Sequence, residues 1–154
     1  MAKALDVAKY FIQLAQSEDE PDQLSHLRLQ KLLYYAQGWS LALRKKPLFD
    51  DRIEAWAHGP VVPSVYPSFA AYGYDFIPSD HFDLDEDALT DEECELIQAV
   101  WDSYKKFSAT SLRAMTHQEP PWKKARGDCD HAEKTNAEIT QRAMKIYFTT
   151  LAKK

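Results

Sequence analysis

Residues 54–69, EAWAHGPVVPSVYPSF, carry a Gly-Pro pair and two further prolines inside a run of aromatics. No continuous helix can pass through them. Pro60 drives Gly59 out of the right-handed helical region, and glycine tolerates the backbone angles a tight turn then demands. Pro63 suits the first turn of a helix, and Pro67 fits as well if that helix begins near Ser64. The stretch is therefore expected to make a sharp corner and then a short, kinked helix reaching Tyr72. Trp56, Tyr66, Phe69 and Tyr72 would pin this corner to the core.

Helical patterns lie on both sides of the corner. Leu5, Ala8, Phe11, Ile12 and Ala15 recur as one helical face over residues 4–16, and the polar run SEDEPDQ (17–23) interrupts it. A second helix is predicted to start near Ser25 or His26, with Leu29, Leu32, Leu33, Ala36 and Leu43 as its buried stripe and Tyr34, Tyr35 and Trp39 widening it. Arg44, Lys45 and Lys46 suit the negative end of that helix, and Pro47 stops it. Within it, Lys31 is expected to snorkel at the surface, or to pair with an acidic group near the Gly-Pro corner.

Thr90 and Glu93 form a capping box ahead of Leu96, Ile97, Val100, Trp101, Tyr104 and Phe107. Ser108 caps a shorter helix to about Thr116, and Pro121 and Gly127 bracket another turn. Thr135 and Glu138 form a further capping box, before a last helix carrying Ile139, Ala143, Ile146, Tyr147 and Leu151. Residues 52–57 alternate weakly and predict a short strand, with 74–77 or 82–85 as its partner. The expected fold is a compact, mainly α single domain spanning residues 1–154, with five to seven helices and room for one small antiparallel β element.

With 45% hydrophobic and 12% aromatic residues, the 154-residue chain can bury a core. A net charge of −5 argues against a nucleic-acid footprint, and the apolar runs are too short to span a membrane. Two cysteines make no disulfide framework, and a cytoplasmic location is the economical expectation.

The residues offer little to catalysis. Cys94 falls three before Ile97 and seven before Trp101, on the buried face, where a thiol is inert packing. Neither a nucleophile elbow nor a phosphate-cradling glycine loop is present. Cys129-x-His131 lacks the second pair that structural zinc needs. Asp83, Asp85 and Asp87 begin a calcium-loop spacing, but Ala88 stands where the turn needs glycine and Cys94 where the site needs glutamate. No cofactor or metal is expected. Of the five histidines, His58 and His117 sit in the two Pro- and Trp-rich loops. They read first as structural groups packed against Trp56 or Trp122.

Three segments, LRLQKLLYYAQGWSLAL (27–43), PLFDDRIEAWAHGPVVPSVY (47–66) and THQEPPWKKAR (116–126), together resemble the Panacea domain, the family of SocA-like antitoxins and phage-associated proteins. The resemblance runs over nearly the whole chain, excepting residues 79–93 and the last helix. It implies a non-enzymatic protein encoded beside a toxin, which it neutralises by direct binding. Family toxins include alarmone-synthetase-like enzymes. SocA-like members also act as adaptors that deliver the toxin to a bacterial protease. Some relatives carry an added DNA-binding segment, for which this chain is expected to have no room. A surface rich in Tyr and Trp gives rigid contact area at low entropy cost, so the expected partner-binding residues are Tyr35, Trp56, His58, Tyr66, His117 and Trp122. Two alternatives stand beside this reading: a small enzyme built on His58 and His117, and a phage-associated scaffold or adaptor with no toxin partner.

Overall fold

The computed structural model describes residues 1–18, 24–72, 76–78, 83–130 and 133–154. The sequence expectations that fall on 19–23, 73–75, 79–82 and 131–132, including His81, His131 and parts of both proposed partner strands, lie outside the described residues. Among the described residues there are seven helices: α1 (Ala4–Gln16), α2 (His26–Leu43), α3 (Tyr66–Phe69), α4 (Asp91–Tyr104), α5 (Ala109–His117), α6 (Pro120–Arg126) and α7 (Gln141–Ala152). Three short strands, β1 (Ile53–Trp56), β2 (Gly59–Val61) and β3 (Glu138–Ile139), form an antiparallel sheet in the order β2-β1-β3.

Helix α2 is the axle of the fold. Every residue in it is buried except Leu27, Trp39 and Leu43, because helices α1, α4, α5 and α7 and strand β2 surround it. A helix enclosed on all sides no longer needs one apolar stripe. Its polar residues instead bind the backbone of the segments that wrap it. The Gln37 side chain donates to Phe49 O (2.7 Å) and accepts from Leu48 N (2.8 Å), and Gln30 Oε1 accepts from Val62 N (2.8 Å). Lys31 is likewise internal, 1% exposed, so the expectation of a snorkelling surface lysine is corrected. Leu43, expected in the stripe, is instead exposed, because it lies at the end of the enclosed segment.

The most extensive helix contact joins α2 to α7. A Cβ added at Gly38 would lie 2.2 Å from Phe148 Cε2, so hydrogen is the largest group that fits there. Gly38→Ala is expected to destabilise the protein by about 2–3 kcal/mol, read from the denaturation midpoint, because the Phe148 ring meets Tyr34, Tyr35, Trp39 and Tyr147 and has nowhere to retreat.

Helix starts follow their caps. Ser25, Thr90, Ser108 and Thr140 each accept a bond from the third residue onward, and Thr90 and Glu93 complete the expected box. The last helix therefore starts at Thr140, whereas Thr135 and Glu138 were expected to cap it. Glu138 and Ile139 are drawn into the sheet instead, where Ile139 is buried opposite Ile53. Glu54 and Glu138 face each other across β1 and β3, and Arg52 bonds Glu54 (2.9 Å) and approaches Glu138 (3.5 Å), offsetting the like charges.

The corner at 54–69 is a β-hairpin. Trp56 and Gly59 close it as a cross-strand pair around Ala57 and His58, with Gly59 at φ 114°, a region that disfavours side chains. Pro60 sits on the sheet edge, where its missing N–H removes no ladder bond. Among the described residues the partners of β1 are β2 and β3. Phe76 bridges to Ser25 instead, and Ile77 N donates to Leu24 O. The short helix after the corner starts at Tyr66, with Pro67 in its first turn, and runs through a 3-10 turn to Tyr72.

Candidate functional site

The hairpin tip, helix α3 and the segment before β3 enclose a depression of about 650 Å³. Among the described residues it is lined by Trp56, Ala57, His58, Tyr66, Lys134, Thr135 and Asn136, with no carboxylate. The Trp56 and Tyr66 rings approach to 4.8 Å between centroids, and Tyr66 in turn meets the buried His26 edge-on at 4.5 Å. Trp56 Nε1 donates to Glu54 Oε1 (2.9 Å), which fixes the indole plane. Arg52 donates to Asn136 O (2.9 Å) and ties the opposite wall to β1. A wall built this way needs little ordering when a partner arrives.

A second layer holds the hairpin from beneath. Trp122 Nε1 donates to Trp56 O (2.8 Å), and Arg126 Nη1 donates to Ala55 O (2.9 Å). Arg126 also binds Asp130 O and Glu133 O (2.6 Å each) and covers the Trp122 ring at 4.9 Å. His117 stacks on the other partner it was expected to find, Trp122, at 4.1 Å and 12°. The two Pro- and Trp-rich loops are neighbours in the fold.

The six residues singled out from the sequence therefore separate. Trp56, His58 and Tyr66 line one depression. Trp122, buried, and His117, half-buried, support it from α6 and the end of α5. Tyr35 lies elsewhere, fully buried and stacked on Tyr104 at 4.1 Å.

Tyr35 belongs to a polar cluster that sequence reasoning missed. Tyr34 and Tyr35 each donate a hydroxyl to one oxygen of Glu119 (2.9 Å each). Burial pushes the Glu119 carboxyl up to about 7, against the pull of the phenols of Tyr34, Tyr35 and Tyr147. Burial and the facing carboxylate raise the Tyr34 and Tyr35 hydroxyls above their ordinary range. A carboxyl with a raised folded pKa contributes most below its unfolded value, and that contribution is lost as pH rises through about 7. Glu119→Gln is thus expected to gain on the parent by roughly 1–3 kcal/mol between pH 5 and 8, measured as the difference of the two unfolding curves. A sequence signal existed: a carboxylate directly before Pro-Pro-Trp, opposite two adjacent tyrosines of an enclosed helix.

The thiols are not activated. Burial raises Cys94, which lies beside Tyr10, and a bond to Glu133 is the first cause that raises Cys129. His58 is exposed and its pKa is lowered, first by desolvation and then by Arg113 and Lys31. Among the described residues no group of three or more His, Cys, Asp or Glu side chains could hold a metal ion, and no helix is long and apolar enough to cross a membrane.

A family model described as antitoxin SocA-like, Panacea domain, matches residues 29–123, which run from within α2 to the first turn of α6 and include the whole hairpin. A curated relative, Antitoxin SocA of Caulobacter vibrioides (strain NA1000 / CB15N), is 44% identical over 71 residues. That match covers 46% of this chain and 37% of the relative's length. No solved structure matches.

Proposed function

Because the chain belongs to the SocA-like Panacea antitoxin family, we propose that it neutralises a toxin encoded beside it by binding that toxin directly, without catalysis. The whole chain acts as one domain in this reading, in the cytoplasm, with no role for nucleic acid or membrane. The contact surface is the depression at the hairpin tip, with Trp56, His58 and Tyr66 as anchors and His117 and Trp122 as their support.

One observation carries the reading. Two aromatic rings and a histidine converge on a concave wall whose backbone is fixed from beneath by Trp122 and Arg126. Prefixed aromatic walls are what binding hot spots require. Among the described residues the lining offers no carboxylate and no thiol to work with the exposed His58.

The test is co-expression with the product of the adjacent gene, followed by co-purification. Relief of growth inhibition together with a stable complex supports binding. Relief without any complex would overturn it. Repeating the co-expression in hosts lacking cytoplasmic proteases separates occlusion from delivery. Occlusion leaves relief intact there and the toxin long-lived, whereas an adaptor loses its effect.

A further inference from the structure

Lys31 is a fully buried amine in the first half of α2, and its Nζ has no hydrogen-bond partner among the described residues. Burying an ammonium without a counter-charge is strongly unfavourable, and the usual outcome is that the group sheds its proton. The charged groups that face it make matters worse. Arg113 of α5 is a cation, and His58 at the hairpin tip and His26 at the start of α2 both sense the lysine as a like charge. A methionine would fill the same volume with no polar atom to satisfy. The packing gives no reason for a lysine at this position.

Its place in the fold gives one. The Lys31 stem runs under Gly59, where an added Cβ would meet its Cε at 2.7 Å and Thr116 Oγ1 at 3.0 Å. Gly59 directly follows His58, which is exposed and lines the depression with Lys134. On a molecule of net charge −5, this one corner gathers Lys31, Arg113, His58 and Lys134.

We propose that the His58 corner receives a carboxylate from an acidic segment of the toxin, and that Lys31 is the buried charge behind it that completes the ion pair. The proposal rests on the antitoxin reading and names the chemistry of the partner at that same site. In the free protein the unpaired amine is pulled down to about 7, first by burial and then by Arg113. A docked carboxylate lifts it again, so binding takes up a proton near neutrality. Stability and function then oppose each other at Lys31, as they do where a site keeps an unsatisfied group for its ligand.

The experiment is calorimetric titration of the purified chain with the product of the adjacent gene, in two buffers of different ionisation heat. It uses the parent and Lys31→Met, at about pH 6, about pH 7 and about pH 8.5. The parent is expected to bind about tenfold or more tightly at the lower pH, with proton uptake near neutrality that needs no variant to be seen. Lys31→Met is expected to melt at the same or a higher temperature and to bind about tenfold or more weakly near pH 6. The two proteins should converge near pH 8.5. Parent binding with no proton uptake, or a folded Lys31→Met with the parent's affinity at both pH values, overturns the inference and leaves the antitoxin reading standing. That second result is the one expected if a buried water alone satisfies the amine. A parent that does not bind at all overturns both.

Discussion

Trp122→Ala is expected to destabilise the protein by about 3–5 kcal/mol, the range for removing a large buried aromatic. The ring is 1% exposed, stacked with His117 and covered by the Arg126 guanidinium, and its Nε1 satisfies Trp56 O. Truncation leaves a cavity, an unpaired carbonyl and an arginine without its aromatic cover. The loss spreads to the hairpin, because Trp122 and Arg126 hold consecutive β1 carbonyls, those of Trp56 and Ala55. Equilibrium denaturation checks the magnitude. Trp122→Phe should recover much of the packing while leaving the carbonyl unmet, and should fall between parent and alanine. An alanine variant with less than about 1 kcal/mol of loss would show that the hairpin is held by something other than this layer.

The second large effect is on the partner. Trp56→Ala is expected to weaken toxin binding by about 30-fold or more, corresponding to roughly 2 kcal/mol or more for a central aromatic anchor. The fold should be far less affected than by Trp122→Ala. Trp56 is half-buried, and the contact it gives Trp122 comes from its main chain, which alanine preserves. The two tryptophans thus separate stability from binding although they touch. A matched thermal midpoint with lost affinity supports the assignment of the depression as the contact surface. Unchanged affinity would move the interface to another face of the molecule.

Much of the fold was legible because helix ends are written locally. Ser25, Thr90 and Ser108 are recognisable caps, Gly127 and Pro47 are stops, and the apolar periods between them are long enough to identify. The sheet was harder to read. Its strands are two to four residues long, one contains a proline, and its third strand comes from 77 residues beyond the end of β2 to the start of β3. A strand that short carries almost no alternation, so the capping pattern Thr135–Glu138 looked stronger than the pairing that displaced it. Burial of α2 on every side was equally hidden. Gln30, Lys31 and Gln37 look like the solvent face of an amphipathic helix until α4, α5, α7 and β2 close around them.

The candidate site shows the same division. Trp56, His58 and Tyr66 could be grouped from sequence because prolines and aromatics crowd one corner. Lys134, Thr135 and Asn136 could not, since they reach that corner only through the β1–β3 pairing. Tyr35 illustrates the opposite limit. Its residue type suits an interface, but its hydroxyl answers a buried Glu119 that lies 84 positions away.

The central claim is that neutralisation is stoichiometric binding rather than turnover. Titrating the purified chain against a fixed amount of the adjacent gene's product, and following residual toxin activity, tests it most directly. Binding predicts a linear fall that reaches its floor at a fixed molar ratio and does not deepen with longer incubation. Activity that continues to fall with time at substoichiometric amounts of the chain would contradict the account and point to an enzyme acting on the toxin or on its product.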